Sequence, residues 1–229
     1  MKLATRHPWR LTPKRATALQ ERLRARVVSS EAPRWKDVRT VAGLDVCYWK
    51  ATDRCHAAVV VTRVDTMEVI EEATASMASP FPYVPGLLSF REASPLIAAL
   101  RRLRCEPDVL LFDAQGRAHP RRLGLASHLG VLYDRPSVGC AKSRLCGVHK
   151  PVGEERGAWT PLRDEATGEV IGSVVRTRAG VKPVYVSVGH RVTDAFARRL
   201  VLALSPRYRL TEPIRLAHRL SNATRRELE

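Results

Sequence analysis

Apolar residues recur with two different spacings along the chain, and these spacings predict an alternation of helices and strands. At residues 12–28 the apolar side chains fall at helical intervals, and Thr12 followed by Pro13 is typical of a helix start. Three apolar runs follow, with a short turn between the last two. This pattern predicts the strands of an antiparallel meander, at residues 38–49, 57–64 and 67–75.

Beyond the meander, a Pro-rich loop at residues 80–90 leads into further helical and strand patterns. No internal repeat or long low-complexity linker interrupts the chain. We therefore expect one α/β domain over residues 1–229, with a mixed central β-sheet flanked by helices. Four further helices are predicted: one that ends near residue 104, one at 121–133, one at 193–204 and one that begins at 213. Further strands are predicted at 108–113 and at 136–140, and three more lie within 157–188.

The charge of the chain narrows its possible partners. With 229 residues, 45% of them hydrophobic, the chain can bury a core, and its 39 Lys and Arg against 23 Asp and Glu give a net charge of +16. This excess indicates either a solvated Arg-rich surface or a polyanionic partner, most often nucleic acid. We favour the second interpretation, although charge alone does not separate nucleic acid from an anionic membrane. We interpret one N-terminal cluster as a solvated face, formed by Arg22, Arg24 and Arg26.

Targeting and cysteine patterns predict a cytoplasmic protein without a membrane partner. The N-terminal stretch has no apolar segment of a signal peptide, and no apolar run approaches the ~20 residues that span a bilayer. The five cysteines are odd in number and form no CxxC pair, which predicts reduced thiols and no zinc site. We expect the protein to act as a monomer.

Three acidic residues stand where a carboxylate is costly. Asp45 lies within the apolar strand VAGLDVCY, Asp113 ends the strand at 108–113, and Glu92 begins the helix after the Pro-rich loop. Each has an ordinary explanation by itself. Asp45 could cap a turn or pair with an arginine, Glu92 could favour the helix dipole, and Asp113 could end its strand in a polar turn.

Together, the three acids predict a metal site. If the strands of Asp45 and Asp113 are neighbours, their carboxylates come close and repel each other unless a divalent cation lies between them. Mg²⁺ prefers oxygen ligands and can assist in-line attack on a phosphodiester. The excess of arginines would then hold the rest of the polyanion. This combination favours a nuclease, although the spacing of the acids alone does not establish one.

Several longer segments resemble those of the endonuclease V family, which repairs deaminated bases in DNA. They occur in the family's order between about residues 38 and 220. The most specific are PYVPGLLSFRE and the HPRRLGLASHLG part of the segment that follows it. Membership implies a ribonuclease H-like fold and a Mg²⁺-dependent endonuclease, with Mn²⁺ as a substitute. It also implies cleavage on the 3′ side of hypoxanthine (inosine), one nucleotide beyond the lesion. The segments are VAGLDVCY, PYVPGLLSFRE, FDAQGRAHPRRLGLASHLGVL, PSVGCAKSRLCG, VSVGHRV and LTEPIRLAH.

The resemblance also implies roles for individual residues. Asp45, Glu92 and Asp113 match the family's metal-binding catalytic acids. His218 matches the C-terminal active-site histidine, and Lys142 matches a lysine near the scissile phosphate. The aromatic residue of the family's strand-separating wedge corresponds to Tyr83.

The chain departs from the family pattern beside the third acid. The family commonly has D-G-x-G there, whereas this chain has Ala114 followed by Gln115 and Gly116. If that turn required a positive φ, Ala114 would be strained. Because Gly116 is retained, we expect Ala114 to be harmless. We interpret Cys47 and Cys140, which replace smaller or different family residues, as structural.

Other residues near these motifs are candidates for substrate contact. The prolines around Tyr83, including Pro82, make its loop stiff, and a rigid aromatic can hold strands apart. A displaced base needs a pocket that reads its edge, for which we expect Gly86, Leu87 and His119. Candidate phosphate contacts are Arg121, Arg122 and Arg144. His190 is either a phosphate contact at a helix start or a structural turn residue, and His128 is expected to be a hydrogen-bonded core histidine.

Two rival functions remain open from the sequence. The first is another ribonuclease H-like nuclease that ignores the lesion, such as a junction resolvase or an RNA-strand hydrolase. The second is a non-catalytic binding protein, which the intact set of acids disfavours. DNA and RNA are not distinguished, because no dedicated reader of the 2′-hydroxyl is visible. An inosine-specific RNA endonuclease therefore also remains possible.

Overall fold

The computed structural model describes residues 1–227, so the last two residues of the expected domain lie outside the described part. Five α-helices and eight strands form the fold, with a 3₁₀ turn at Trp35–Asp37. The helices are α1 (Pro13–Arg24), α2 (Leu88–Leu100), α3 (Leu125–Tyr133), α4 (Asp194–Ala203) and α5 (Glu212–Glu227). The strands are β1 (Thr40–Trp49), β2 (Arg54–Arg63), β3 (Val69–Ala78), β4 (Val109–Phe112), β5 (Ser137–Ala141), β6 (Trp159–Arg163), β7 (Val170–Val175) and β8 (Val184–His190).

All eight strands belong to one mixed sheet in the order β3-β2-β1-β4-β5-β8-β7-β6. The first three strands pair antiparallel, which confirms the predicted meander. In the centre, β1, β4 and β5 run parallel to one another, and the remaining pairs are antiparallel. The predicted fold class, a mixed central sheet flanked by helices, is confirmed.

Alternate residues of the central strands face opposite helical layers. Leu44 and Phe112 join the core formed with α2 and α3. Val41 and Leu111 join the core formed with α4 and the start of α5. Because side chains alternate along a strand, Asp45 and Asp113 belong to the face that α5 covers.

A glycine in β1 allows α5 to lie close to the sheet. A Cβ on Gly43 would lie 2.2 Å from the carbonyl carbon of Pro213, at the start of α5. Only a residue without a side chain permits this approach. The position of α5 over β1 is therefore set two residues before Asp45.

Some predicted boundaries were wrong. The helix predicted at 121–133 begins only at Leu125, because Arg122 has a left-handed backbone with φ of 57° and Gly124 is the extended N-cap. The first helix ends at Arg24 rather than near residue 28, while β2 begins earlier and β3 ends later than predicted.

Within residues 1–227, the structure contains no helix that is both long and apolar enough to cross a membrane.

Candidate active site

Asp45 and Asp113 lie side by side because their strands are parallel neighbours. Leu44 is paired with Phe112 in the register of β1 and β4, and the backbone N–H of Asp113 donates to the carbonyl of Leu44 at 3.1 Å. Each acid directly follows one of these paired residues. The condition stated from the sequence, that the strands of Asp45 and Asp113 are neighbours, is therefore met.

Helix α5 adds a histidine and a serine to the first acid. His218 Nδ1 lies 3.2 Å from Asp45 Oδ2, and Ser221 Oγ donates to the same oxygen at 2.7 Å. Asn222 Nδ2 lies 3.4 Å from His218 Nε2. If Nδ1–H of His218 donates to Asp45, Nε2 is left as the proton acceptor, and Asn222 on its other side suits that tautomer.

Three groups with metal-ligating atoms converge at this point. Ligand atoms of Asp45, Asp113 and His218 all lie within 4.8 Å of one another. Asp45 and Asp113 are largely shielded from water, whereas His218 is half exposed. Such a cluster of oxygen and nitrogen ligands has the chemistry of a divalent cation site.

Glu92 is a more distant member of the acidic group. It lies on α2 and is not one of the three residues whose ligand atoms converge. Burial, followed by the charges of Asp45 and Asp113, raises the pKa of Glu92 to about 8. The three carboxylates therefore share one electrostatic environment, and a cation placed there would favour the ionised form of Glu92.

Lys142 provides the positive charge next to Asp113. Its Nζ lies 2.5 Å from Asp113 Oδ2, and its side chain is 40% exposed. Burial raises the pKa of Asp113, with Asp45 acting in the same direction and Lys142 opposing it. Lys142 beside Asp113 and Arg91 near Glu92 supply two positive charges for three acids, so the site can accept further positive charge.

The loop of Tyr83 is anchored at both ends while its aromatic ring is exposed. Phe81 and Leu87 are buried in an apolar cluster with α1, whereas Tyr83 is 68% exposed. The N–H of Leu87 donates to the carbonyl of Val84 at 2.9 Å. The ring therefore projects from a loop whose two ends are packed in the core, and the stiffness expected from the flanking prolines stays a prediction.

A small cavity of about 120 Å³ lies between this loop and the segment after β4. Its lining includes five residues of particular interest: Tyr83, Gly86, Gln115, His119 and Leu145. Gly86 has a φ of 78°, and a Cβ at that position would lie 2.6 Å from Arg121 Nη2. Glycine is therefore favoured here by its backbone conformation, and a side chain would also displace the end of Arg121.

The side chains of His119 and Arg121 both contact the loop of Tyr83. His119 Nδ1 accepts the backbone N–H of Arg121 at 3.1 Å, so its Nε2–H can donate to the carbonyl of Gly86 at 3.0 Å. Arg121 Nη2 donates to the same carbonyl at 2.7 Å. Burial and the positive charge of Arg121 lower the pKa of His119 to about 4, so the ring is neutral at physiological pH.

The family's D-G-x-G pattern has glycine at the positions of Ala114 and Gly116, and the structure tolerates a side chain at only the first of them. Of the non-glycine residues that the structure describes, five have a positive φ, and Ala114 is not one of them. A Cβ on Gly116 would lie 2.1 Å from the carbonyl oxygen of Val188. The turn therefore accepts alanine at 114 and requires glycine at 116.

Several other candidates have structural partners. Arg122, predicted as a phosphate contact, is ion-paired with Asp164 at 2.8 Å and with Glu169 at 2.9 Å. These two carboxylates balance the positive charge of its guanidinium. His190 contacts Asp134 at 3.0 Å and accepts the N–H of Val28 at 3.2 Å, which favours a structural role. Exposed arginines remain at the predicted solvated face and at 144.

The prediction for His128 is confirmed. It is fully buried and contacts Ser89 Oγ at 3.0 Å and His7 Nε2 at 2.8 Å. None of the five cysteines, all within the described residues, forms a disulfide bond, and Cys55 and Cys140 are buried.

Three polar residues near the site were missed by sequence reasoning. Ser221 and Asn222 follow His218 at helical spacings of three and four residues, which was the available signal. Gln20 lies within the apolar stripe of α1, four residues after Ala16, and is fully buried. A polar residue within such a stripe indicates a buried hydrogen-bond partner.

Comparison with known proteins agrees with this arrangement. The family model described as Endonuclease V matches residues 21–219. An endonuclease V of Roseiflexus sp. (strain RS-1) is 51% identical over 215 residues, covering 94% of this chain and 94% of that protein.

Solved structures give the same result at the level of the fold. The crystal structure of endonuclease V from Streptomyces avermitilis is 44% identical, with a TM-score of 0.91 and 96% of each chain covered. That of Ciona intestinalis endonuclease V, in complex with a 24mer DNA containing an inosine followed by a ribo-adenosine, is 27% identical with a TM-score of 0.83. It covers 94% of this chain and 98% of that one. From its sequence, fold and site, this chain belongs to the endonuclease V family and is a DNA endonuclease.

Proposed function

We propose that this endonuclease recognises deaminated purines, above all hypoxanthine, and cuts the strand on the 3′ side, one nucleotide beyond the lesion. The observation that carries the proposal is the convergence of Asp45, Asp113 and His218 beside Glu92. The related Ciona protein in complex with inosine-containing DNA supports the choice of substrate.

The cluster fits a divalent cation, and we propose Mg²⁺ with Mn²⁺ as a substitute. Asp45 and Asp113 would hold it, with Glu92 completing the carboxylate group and His218 at the exposed side. When bound, such an ion offsets negative charge on the phosphate and makes a nearby water more acidic. The carboxylate oxygens supply the hard ligands that Mg²⁺ prefers.

The protein's own groups have distinct tasks around the phosphodiester. Asp45 would orient the His218 ring through Nδ1, while Ser221 holds the same Asp45 oxygen, and Nε2 of His218 would accept a proton from the attacking water. The Lys142 ammonium, exposed beside Asp113, would contact the scissile phosphate and stabilise its developing charge.

Base recognition would occur in the cavity behind Tyr83. The exposed ring and the neighbouring Pro82 can wedge into the duplex and favour displacement of the altered base. The displaced base would then meet the backbone of the loop through Gly86 and Leu87 and the wall formed by Gln115. Hypoxanthine carries O6 in place of the amine of adenine, so a backbone N–H donor such as that of Gly86 would suit it, whereas the Leu87 N–H already donates to Val84. Arg121 and His119 hold this wall from behind.

The direct test compares Asp45→Asn and Asp113→Asn with the parent on matched oligonucleotides with and without inosine. Single- and double-stranded DNA and RNA are assayed side by side in Mg²⁺, Mn²⁺ and EDTA, and product lengths locate the cut. Both variants should lose more than about a hundredfold in rate, because each lacks a charged ligand. Asp65→Asn, in an exposed turn away from the site, is the matched control.

Each rival predicts a different result. If either variant cuts inosine strands as fast as the parent, the assignment of the acids is wrong. Equal cutting of strands without inosine would identify a lesion-independent nuclease. Equal binding in EDTA and Mg²⁺ without any cutting would identify a binding protein. The DNA and RNA arms decide between repair and inosine-RNA cleavage. A monomeric state and a cytoplasmic location remain predictions.

A further inference from the structure

Gln20 of α1 contacts the two chain segments that border the cavity. Its Nε2 donates to the carbonyl of Gly86 at 3.0 Å and to the carbonyl of Leu123 at 3.1 Å. Its Oε1 accepts Nε–H of Arg121 at 2.6 Å. Both donor hydrogens and the acceptor of this buried amide are therefore used, and its partners fix which way the amide points.

The Gly86 carbonyl is the point at which these contacts meet. It lies within hydrogen-bond distance of three donors, on Gln20, His119 and Arg121. Gly86 has a positive φ, and in this backbone conformation its carbonyl faces Gln20 of α1. A loop held this way keeps one shape, because release would leave several buried polar groups without partners.

We propose that Gln20 is a positioning residue that joins the Tyr83 loop to the segment after Asp113 and so holds the cavity in the shape that admits a displaced base. This role rests on the proposed function of the cavity. Gln20 itself lies outside the match of the family model, which begins at residue 21. It also contributes no group to the Asp45, Asp113 and His218 cluster.

The decisive variant is Gln20→Met, which keeps the length of the side chain and removes all of its hydrogen bonds. The first readout is the ¹⁹F resonance of Tyr83 in protein labelled with 3-fluorotyrosine, assigned by its loss in Tyr83→Phe. It needs no substrate, so it reports on the loop even if the protein does not cut inosine strands. We expect a shifted or broadened Tyr83 signal in Gln20→Met.

The second readout is kinetic. Loss of these buried hydrogen bonds should shift the ratio of correct to displaced loop by about tenfold or more, so we expect kcat/KM on inosine strands to fall by up to about tenfold. Cation binding, measured by calorimetry with Mn²⁺ alone, should be unchanged. A general loss of structure would affect cation binding as well.

The control for stability is Leu200→Ala in α4, a fully buried position in the other core. It should lower the melting temperature without moving the Tyr83 resonance or Mn²⁺ binding. If Gln20→Met folds poorly, Arg121→Lys takes its place, because it removes the planar donor group from the other side of the network. The proposal then predicts a shifted or broadened Tyr83 signal in Arg121→Lys. An unchanged Tyr83 signal in the folded variant, or an equal change in Leu200→Ala, would overturn the proposal.

Discussion

The alanine that follows Asp113 shows how a single departure from the family pattern can be judged from backbone geometry. A glycine is required where φ is positive or where another chain segment leaves no room. Ala114 meets neither condition and is buried in the core with α2, whereas Gly116 is closed in by the backbone of β8. The family's glycine at 114 is therefore not needed by this turn.

We predict that Ala114→Gly leaves Mg²⁺ affinity unchanged and lowers stability by about 0.5–1 kcal/mol, because it adds backbone freedom to the unfolded chain. Calorimetric Mg²⁺ titration and thermal unfolding measure the two effects. Gly116→Ala, two residues on, should instead disrupt folding or cation binding severely. A tighter cation site in Ala114→Gly would show that alanine does misalign Asp113.

At the scale of elements, the placement of α5 on β1 decides whether the site forms. The Gly43 contact with Pro213 sets how closely the helix approaches, and that helix carries His218 and Ser221. A shift of about 1 Å is enough to impair a catalytic arrangement.

We predict that Gly43→Ala displaces α5, costs about 1–3 kcal/mol of stability, and reduces cleavage by about a hundredfold. Thermal unfolding and cleavage rates provide the measurements. Gly172→Ala in β7 is the matched control, because its Cβ would also meet a backbone oxygen, that of Val186 at 2.6 Å, but far along the sheet. Equal cleavage by both variants would rule out this role for α5.

Sequence reasoning found most elements but few of their exact limits. The meander followed from apolar runs. The pairing of β1 with β4 did not follow from them and entered only as a condition, and the structure shows that this pairing brings Asp45 and Asp113 together. The start of α3 was misplaced because Arg122 has a left-handed backbone and its side chain pairs with distant Asp164 and Glu169, and no local pattern shows either feature.

The candidate site was predictable only in part from local signals. His218 lies on the exposed side of an amphipathic helix, where a histidine is ordinary. Its predicted role came only from the resemblance to the endonuclease V family. Gln20 depends on two carbonyls about 66 and 103 residues away in sequence. Contacts of that range arise from tertiary packing, and the residue types alone do not specify them.

At the scale of the whole molecule, a buried histidine predicts sensitivity to acid. Burial and the nearby His7 lower the pKa of His128 to about 3, from an ordinary value near 6.5. Above pH 6.5 neither the folded nor the unfolded state binds this proton, so the stability is fully present. As pH falls below 6.5, only the unfolded state takes up the proton, and stability is lost progressively down to about pH 3.

We predict that this residue contributes a slope of up to about 1.4 kcal/mol per pH unit between these limits. In His128→Gln, the pH dependence of the free energy of unfolding should become shallower by one proton, whatever the change in absolute stability. Leu129→Ala, a buried neighbour on the same helix, should lower stability while keeping the parent slope. A slope that His128→Gln leaves unchanged would contradict the assignment.

The packing of α5 on β1 has a consequence during protein synthesis. The ribosome makes the strand of Asp45 early, but the helix with His218 and Ser221 emerges only after more than 160 further residues. A chain that is broken off or degraded in between can form neither the contacts to Asp45 nor the cover over that face of the sheet. We therefore expect that a chain ending before α5 lacks nuclease activity, because it lacks the proposed contribution of His218 and Ser221.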